Sequence, residues 1–350
     1  MTPARHAFAA ALAVTALLTS TGCSGDSKPK QTSSAPTTPA PTSTTATTKP
    51  APPPLKNPYT GIGGVPKTPT ISVKIDDTAP GRPQRGIDGA DIVYIEGVEG
   101  GLTRLAAIFG TYKPMVGYVR STRPSDPDLL LQFGKITAAY SGGAHDALPL
   151  MRRSGLKSWS NDAGAAYYSR ANRASDYINL VLNLTKVAKA THSALPKSIG
   201  WTFNPSLSGL PAIRGSFVRT AVTGSYAHGT PVEFRYDRTL KKYVRYIDGV
   251  RQVAADGKPI TATNVIVQSC RVLAHRQDTD VNGNPSQFTY TVGSGAVSVF
   301  RQGVRINGRW SRPRTSSGTV LRTAAGRPLP LDPGNTWVVL IRTGIPVVSG

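Results

Sequence analysis

The apolar residues between positions 70 and 140 fall in short runs separated by glycine-containing turns. Short apolar runs bounded by turn residues are typical of buried β-strands. Four strands are predicted here, at residues 70–75, 92–95, 103–109 and 136–140. Helices are predicted after Ser125, where Asp126-Pro127 is typical of a helix start, and at residues 144–153 and 175–190. The first part of the chain therefore mixes helices and strands.

Beyond Trp201 the pattern changes to an alternation of polar and apolar residues, which predicts strands with one buried face. The two clearest examples, 231–236 and 242–247, lie on either side of a short turn and predict a hairpin. Further strands are predicted at 264–272, 287–292, 297–304 and 337–341. We therefore predict an α+β fold class, with a layered, mixed α/β N-terminal domain over 58–212 and a mostly antiparallel, β-rich C-terminal domain over 213–350.

The N-terminus has the pattern of an export signal. Arg5 precedes an uncharged, apolar stretch at 7–18, which is shorter than the roughly 20 residues that cross a membrane. The following Ser20-Thr21-Gly22-Cys23 resembles the bacterial lipobox. The resemblance implies a signal peptide over 1–22, cleavage before Cys23 and acylation of that cysteine. We therefore expect a lipid anchor at the extracytoplasmic face of the cell membrane.

Residues 24–57 are almost entirely Ser, Thr, Pro, Ala and Lys. A segment of this composition buries too little apolar surface to offset the chain entropy that folding would remove. We therefore predict that 23–57 consists of the lipidated cysteine and a disordered linker. Such a linker carries the globular part of the chain away from the membrane.

Cysteine content and charge both bear on the compartment and the partners. The chain has only two cysteines, so an acylated Cys23 leaves no internal disulfide, and Cys270 in an apolar run is predicted to be buried. The formal net charge is +22. Outside the cell the available anions are lipid headgroups and phosphate-bearing wall polymers. We expect as partners the cytoplasmic membrane, through the anchor, and anionic envelope polymers or lipids, and we expect no nucleic acid.

Polar segments of the first predicted domain suggest an anion pocket. Arg120 and Arg123 follow an apolar strand, and Arg104 lies in a neighbouring predicted strand. Guanidinium groups bind phosphate and carboxylate through paired hydrogen bonds. The turn Ser141-Gly142-Gly143 follows a strand and precedes a predicted helix, a place where backbone N–H groups favour an anion. The three arginines and this turn are the predicted ligand-binding residues.

The carboxylates allow two other interpretations. They could pair with the three arginines as structural salt bridges, or two of them could act as acid and base in a hydrolase of wall glycan or phosphodiester. Adjacent residues of a strand point to opposite faces, so Asp76 and Asp77 are not expected to share a site. The carboxylates considered are Asp76, Asp77, Glu96 and Glu99, and the catalytic candidates of the hydrolase alternative are Asp76, Asp77 and Glu96.

Other motifs give weaker signals. Ser141, His145 and Asp146 are the residue types of a hydrolytic triad, but triads are assembled from distant positions. Residues 278–283 match the opening of a calcium loop, yet the twelfth position is Thr289 where a bidentate glutamate belongs, so a hairpin turn is predicted. The histidines have no zinc-binding spacing. We predict neither a metal nor a cofactor.

Several of these segments resemble the YerB-like lipoprotein family, a bacterial family of unestablished function. The resemblance covers the first predicted domain and continues more weakly through the second, ending at 330–337. It implies a lipid-anchored, two-part protein with a layered α+β fold, and it brings no known catalytic residue. The matching segments are Asn57-Pro-Tyr-Thr-Gly61, Lys74-Ile-Asp-Asp77, residues 86–104, Gly117-Tyr-Val-Arg-Ser-Thr-Arg123 and Ala139-Tyr-Ser-Gly-Gly143.

The sequence thus predicts an extracytoplasmic lipoprotein that binds an anionic cell-envelope component through an arginine-rich site in its N-terminal domain. Two alternatives remain open, a metal-independent hydrolase and a structural interaction module. An open polar site would favour binding or catalysis. Arginines buried against carboxylates would favour the structural role.

Overall fold

The computed structural model describes residues 56–143, 145–173, 177–222, 231–280 and 283–350. The predicted signal peptide, Cys23 and nearly all of the predicted linker lie outside the described residues. All of the described residues belong to one compact unit. No helix in the described part of the chain is long and apolar enough to cross a membrane.

The described residues are rich in β-structure. Three short α-helices are present, α1 (Asp126–Leu130), α2 (Ala147–Arg153) and α3 (Leu184–Ala190). The strands are β1 (Ile71–Asp76), β2 (Ile92–Gly97), β3 (Thr103–Phe109), β4 (Met115–Gly117), β5 (Thr137–Tyr140), β6 (Lys157–Ser160), β7 (Tyr168–Arg170), β8 (Leu180–Asn183), β9 (Ala212–Arg214), β10 (Phe217–Ala221), β11 (Pro231–Asp237), β12 (Lys242–Ile247), β13 (Val250–Arg251), β14 (Thr261–Ala262), β15 (Asn264–Thr279), β16 (Pro285–Tyr290), β17 (Gly293–Arg301), β18 (Val304–Arg312), β19 (Val320–Thr323), β20 (Thr336–Arg342) and β21 (Val348–Ser349).

The largest element of the fold is a mixed sheet of 12 strands. Its central order is β19-β18-β17-β15-β20-β2-β3-β1-β5-β6, with β16 paired to β15 and β9 paired to β18. β20 lies between β15 and β2 and pairs in parallel with both. Strands from both predicted domains, 58–212 and 213–350, therefore share one hydrogen-bonded sheet.

Both faces of this sheet are buried, which explains the continuous apolar runs of its central strands. In β20, Trp337 and Val339 belong to the core cluster on one face, and Val338 and Leu340 belong to the cluster on the other. They alternate because successive side chains of a strand point to opposite faces. Burying each of the three aliphatic side chains, Val338, Val339 and Leu340, contributes about 1.5–3 kcal/mol.

Each face is covered by different elements. A six-stranded sheet, with central order β13-β12-β11-β10-β21, packs on the first face, where the rings of Phe234 and Trp337 meet edge to face with centroids 5.6 Å apart. Leu129 of α1 and Met151 of α2 pack in the cluster on the second face. Strands β4, β8 and β7, in that order, form a third, separate sheet.

The helix predicted over 175–190 is wrong in its first part. Leu180–Asn183 form β8, which pairs with β4 and β7, and only Leu184–Ala190 form α3. The side chain of Asn183 accepts a hydrogen bond from the Lys186 amide at 3.0 Å, and this cap fixes the start of the helix. Residues 175 and 176 lie outside the described residues.

The strand predicted over 297–304 is two strands. β17 ends at Arg301, and β18 begins at Val304. Between them Gln302 and Gly303 have φ values of 51° and 75°, as a two-residue hairpin turn requires at both central positions. β15 and β16 pair antiparallel on either side of the turn predicted at 278–283, of which residues 281 and 282 lie outside the described residues.

Candidate functional site

The polar residues of the predicted site collect at one edge of the large sheet. β1, β2 and β5 run in the same direction, because β1 pairs in parallel with β5 and both β1 and β2 pair antiparallel with β3. Asp76 ends β1, Glu96 lies near the end of β2, and Ser141 follows β5. Ligands of open sheets commonly bind at the carboxyl ends of parallel strands.

Behind this edge lies a buried ionic network centred on Lys74. The Lys74 ammonium donates to Glu96 Oε1 at 2.9 Å and to Asp126 Oδ1 at 2.7 Å. Asp126 Oδ2 accepts from the Thr122 hydroxyl and from the Arg123 amide, both at 2.7 Å. The network fixes the segment between β4 and α1. Lys74 and Asp126 were not predicted as site residues, although a lysine inside the apolar run of β1 is a visible signal.

The two carboxyls of this network have opposite pKa shifts. Burial, together with repulsion from Asp126, raises the pKa of Glu96 from 4.5 to about 8. Burial also opposes ionisation of Asp126, but the charge of Lys74 and the hydrogen bonds to the carboxylate outweigh it and lower the Asp126 pKa. Near neutral pH the network is therefore a protonated Glu96 beside an ion pair.

Glu96→Gln is expected to change how stability depends on pH. A raised folded-state pKa stabilises the protein fully below the unfolded value of 4.5, and this contribution is lost as pH rises through about 8. Glutamine keeps the shape and the hydrogen-bonding groups but cannot ionise. Urea unfolding at pH 5.5 and pH 8 measures the difference: the native protein should lose more stability between the two than the variant. Equal losses would contradict the raised pKa.

Arg123 belongs to a second buried ion pair. Its Nη2 donates to Glu99 Oε2, and the other oxygen of Glu99 accepts from the Ser286 hydroxyl. Burial opposes ionisation of the Glu99 carboxyl, but the hydrogen bond and charge of Arg123, together with the hydrogen bond from Ser286, outweigh it and lower the pKa. Arg123 also donates to the Thr122 carbonyl at 2.9 Å. These contacts give Arg123 a structural role, unlike the ligand-binding role predicted from the sequence.

Arg120 is paired but remains partly at the surface. Its Nε lies 3.3 Å from Asp76 Oδ2, and 25% of its side chain is exposed whereas Asp76 is fully buried. The other oxygen of Asp76 accepts from the Thr78 amide at 2.6 Å. Asp76 therefore holds Arg120 at the sheet edge with part of its side chain facing solvent.

Arg104 has no carboxylate of its own among the described residues. In the strand register it faces Asp76 on one side and Glu96 on the other, yet no described carboxylate lies within 4.0 Å of its guanidinium. Its Nη1 donates only a long hydrogen bond, of 3.4 Å, to the Ser121 carbonyl. Burial, followed by the charges of Arg123 and Arg120, lowers the Arg104 pKa. Arg104 thus lies close to two other positively charged arginines.

The Ser141 turn packs along the Arg120–Thr122 segment. The Ser141 amide donates to the Arg120 carbonyl at 2.9 Å, and the Thr122 amide donates to the Gly142 carbonyl at 3.1 Å. The Ser141 amide is therefore not available to an anion, and α2 begins only at Ala147. The turn thus continues the hydrogen bonding of the sheet edge, and the anion site predicted at it stays a prediction. Gly143, the last residue of the turn, forms a bridge with Thr122.

A partly exposed polar surface remains at this edge. A Cβ on Gly142 would lie 4.0 Å from the Ser121 hydroxyl oxygen, so this hydroxyl lies beside the turn. Ser121 was not among the predicted ligand-binding residues. We define the arginine cluster as the partly exposed residues Arg104, Arg120, Ser121, Ser141 and Gly142.

Asp77 lies in a separate, fully buried network. Its Oδ2 accepts from Arg245 Nη2 and from the Thr103 hydroxyl, both at 2.7 Å, and Oδ1 accepts from Gln84 at 3.2 Å. Arg245 belongs to β12 in the six-stranded sheet, and its guanidinium lies 5.2 Å from the ring centroid of Trp337. The ion pair therefore ties the end of β1 to the sheet that covers it.

The three catalytic candidates do not form an open acid and base pair. Asp76, Asp77 and Glu96 are each at most 2% exposed. Each contacts a different cation, which is Arg120, Arg245 and Lys74 respectively.

The Asp146 carboxylate of the triad motif contacts two histidines. Asp146 contacts His145 Nδ1 at 3.2 Å and His275 Nε2 at 2.9 Å. The second contact reaches from the loop before α2 to β15, a partner that lies 129 residues away. Across the described ranges no group of three His, Cys, Asp or Glu side chains could hold a metal ion.

Comparison with protein families gives two matches. Residues 59–197 match the family described as "Protein of unknown function (DUF3048) N-terminal domain". Residues 222–338 match the corresponding C-terminal domain. The two regions together span well over half of the chain, and they lie on either side of residue 212.

The relatives of the chain agree with this assignment. It is 29% identical over 300 residues to the protein named "Putative lipoprotein YerB" of Bacillus subtilis, and the match covers 82% of this chain and 86% of that protein. The crystal structure of the YerB protein from Bacillus subtilis matches with a TM-score of 0.70 at 23% identity, over 84% of this chain and all of the other. The chain therefore belongs to the YerB-like family, a family of unknown function.

Proposed function

We propose that this protein is an extracytoplasmic lipoprotein that binds an anionic cell-envelope component at the arginine cluster. The observation that carries the proposal is the partly exposed Arg104, which has no carboxylate partner in the described part of the chain. The two neighbouring arginines each have one, Arg120 with Asp76 and Arg123 with Glu99. Arg104 therefore leaves an excess positive charge at the surface, and a bound anion would balance it.

The neighbouring network does not cancel this charge. Because the pKa of Glu96 is raised to about 8, Glu96 is largely neutral at pH 7, and Lys74 balances Asp126. Guanidinium groups form paired, charge-assisted hydrogen bonds with phosphate. The formal net charge of +22 supports the approach of an anionic ligand to the whole surface.

The burial of the carboxylates favours binding over hydrolysis. A general acid or base must come within hydrogen-bond reach of the reacting atoms. Glu96 is buried against Lys74, Asp77 is buried in an ion pair with Arg245, and Asp76 is covered by Arg120. The exposed polar groups of the arginine cluster are cations and hydroxyls, which bind an anion without a step of bond cleavage.

The anchor defines where such a ligand would be met. The lipobox-like Ser20-Thr21-Gly22-Cys23 and the lipoprotein name of the Bacillus subtilis relative both support acylation of Cys23. A protein so anchored faces lipid headgroups and envelope polymers. Nucleic acid is not expected there despite the basic composition.

Arg104→Ala combined with Arg120→Ala tests the proposal. Each charge-assisted hydrogen bond contributes about 1.5–3 kcal/mol, so the double variant should bind poly(glycerol phosphate) at least about tenfold more weakly. Calorimetric titration measures the change. Arg238→Ala, which removes one exposed arginine from the β11–β12 turn, is the control and should bind like the native protein. Unchanged affinity in the double variant would refute the proposal.

The number of reactive thiols tests the anchor. Cys270 is buried, and burial raises its pKa to about 12, so its thiol should not react in the folded protein. In the lipidated protein Cys23 is a thioether, so a maleimide should label no thiol when folded and one when unfolded. Protein made with a Cys23→Ser change should give the same two counts. Unprocessed protein, in which Cys23 is a free thiol, should show one labelled thiol when folded and two when unfolded. A count of one and two for the membrane-bound form would contradict acylation.

A further inference from the structure

The second half of β15 leaves the large sheet as a two-stranded arm. The pairing of β15 with β17 ends at Gln268, and its pairing with β20 ends at Cys270. From Arg271 onward β15 pairs with β16 alone. We call residues 271–290 the hairpin arm. β15 runs parallel to β20 and β2, so the arm extends from the sheet edge at which the arginine cluster lies.

One face of the hairpin arm carries aromatic side chains in contact with one another. Phe288 and Tyr290 alternate along β16 and have ring centroids 4.8 Å apart. Opposite them in the register are Leu273 and Arg271, and the Arg271 guanidinium lies 4.9 Å from the Tyr290 ring centroid. We call these four residues the aromatic face.

The aromatic face is not part of the described core. Leu273 is 42% exposed, Arg271 is exposed, and Phe288 and Tyr290 are partly exposed. Within the described ranges, Leu273, Phe288 and Tyr290 belong neither to the core clusters nor to the partly buried residues packed against them. Aromatic rings left outside a core mark a binding surface when they are contiguous.

The same face of the arm continues to the ion pair between Arg123 and Glu99. Ser286 lies two residues before Phe288, on the same side of β16, and donates to Glu99, the partner of Arg123. His275, which faces Ser286 in the register, contacts Asp146 at 2.9 Å. Residues two apart on a strand are about 7 Å apart. Phe288, the first ring of the aromatic face, therefore lies about 7 Å along β16 from Ser286, which contacts the ion pair of Arg123 and Glu99.

We propose that the aromatic face binds the sugar rings of a phosphate-bearing glycan whose phosphate lies at the arginine cluster. This inference rests on the proposed function and names the ligand class. The face of an aromatic ring carries partial negative charge and attracts the C–H groups of a pyranose ring. The Tyr290 hydroxyl and the Arg271 guanidinium supply hydrogen bonds to sugar hydroxyls.

A glycan fits this surface better than an acyl chain does. Arg271 and His275 flank the rings, and an acyl chain lying on the face would take these polar groups out of water without offering them a partner. Sugar hydroxyls satisfy such groups. The excess positive charge of the arginine cluster matches a phosphate at one end of the same ligand.

Paired polymers separate the sugar contact from the phosphate contact. The probes are poly(glycerol phosphate) with and without glucose substituents, titrated calorimetrically into the full protein. The native protein should bind the glucosylated polymer more tightly. Phe288→Ala with Tyr290→Ala should weaken binding of the glucosylated polymer about tenfold and change binding of the bare polymer by less than about twofold. Arg104→Ala with Arg120→Ala should weaken both.

Two further variants control for damage to the arm. Gln287→Ala alters the opposite face of β16 and should leave both affinities unchanged. Phe288→Trp keeps an aromatic ring and should retain the preference for the glucosylated polymer, even if the alanine variants unfold the arm by circular dichroism. Equal binding of the two polymers by native protein, or loss of the preference in Phe288→Trp, overturns the inference.

The remaining outcomes distinguish the inference from the proposed function. If the arginine variant loses binding but the aromatic variant keeps the sugar preference, the inference fails and the proposed function stands. If neither variant loses binding, both fail. Loss of binding to phosphatidylglycerol vesicles in the aromatic variant, with polymer binding intact, would assign the face to a lipid surface and overturn the inference.

Discussion

Replacing Asp77 with alanine is expected to destabilise the protein by about 3–5 kcal/mol. The Asp77 carboxylate accepts from Arg245 Nη2 at 2.7 Å, and neither side chain is exposed. Without Asp77 the Arg245 guanidinium stays in the core without a counter-charge, and its Nε and Nη1 already lack hydrogen-bond partners within the described residues. Urea unfolding followed by circular dichroism measures the loss as a lower midpoint.

Two controls separate this effect from the loss of an ordinary contact. Glu233→Ala removes the ion pair with the half-exposed Arg235 and should cost less than about 1 kcal/mol. Asp77→Leu combined with Arg245→Met removes both buried charges and should recover most of the stability, because the main cost is the uncompensated charge. A loss in Asp77→Ala no larger than that in Glu233→Ala would contradict the buried ion pair.

Lys74→Met is expected to have a comparable effect, about 3–5 kcal/mol at pH 7. Lys74 is the only ion-pair partner that the described residues give Glu96 and Asp126. Because Glu96 is already protonated near pH 7, removing Lys74 leaves the buried Asp126 carboxylate without its counter-charge. The loss should become smaller as pH falls, because protonation of Asp126 removes this buried charge. Urea unfolding at pH 7 and pH 4.5 measures both the loss and its pH dependence.

Lys258→Met is the matched control for this substitution. Lys258 pairs with Asp256 on the surface with 71% of its side chain exposed, so its loss should leave the urea midpoint nearly unchanged. Arg104, Arg120 and the aromatic face are untouched by either lysine change. A loss in Lys74→Met that is the same at both pH values would argue against a charge effect and for simple loss of packing.

The central strands of the large sheet were predictable because they are buried on both faces, whereas β6, β9 and β19 were not predicted. Burial makes β1, β2, β3 and β5 continuous apolar runs, and glycine-containing turns mark their ends. The sharing of one sheet by both halves was not predictable, since nothing local specifies that β20 pairs with β2 some 240 residues earlier in the chain. The helix predicted over 175–190 failed for a similar reason, because strand pairing with β4 and β7 outweighs the local pattern.

The sequence pointed to the three arginines and to the carboxylates that could pair with them, but not to which arginine pairs with which carboxylate. Local spacing places Arg120 and Arg123 on one segment, whereas the structure gives one of them a surface position and buries the other against Glu99. Asp77 was a catalytic candidate from the sequence, but in the structure it pairs with Arg245, which lies 168 residues away in the chain. Such choices depend on which charge reaches which through tertiary packing. Arg104 stands out only once the carboxylates of its neighbours are assigned.

Because β20 lies between β2 and β15, the large sheet cannot be completed until β20 has been synthesised. A chain is synthesised from its N-terminus, so the edge of β2 that will meet β20 has no partner until residues 336–342 exist. An unpaired edge can recruit a strand from another chain. Pairing over such a separation is also slow, because the entropy of loop closure must be overcome first. Whatever keeps the first half of the chain from associating during this interval raises the yield of folded protein.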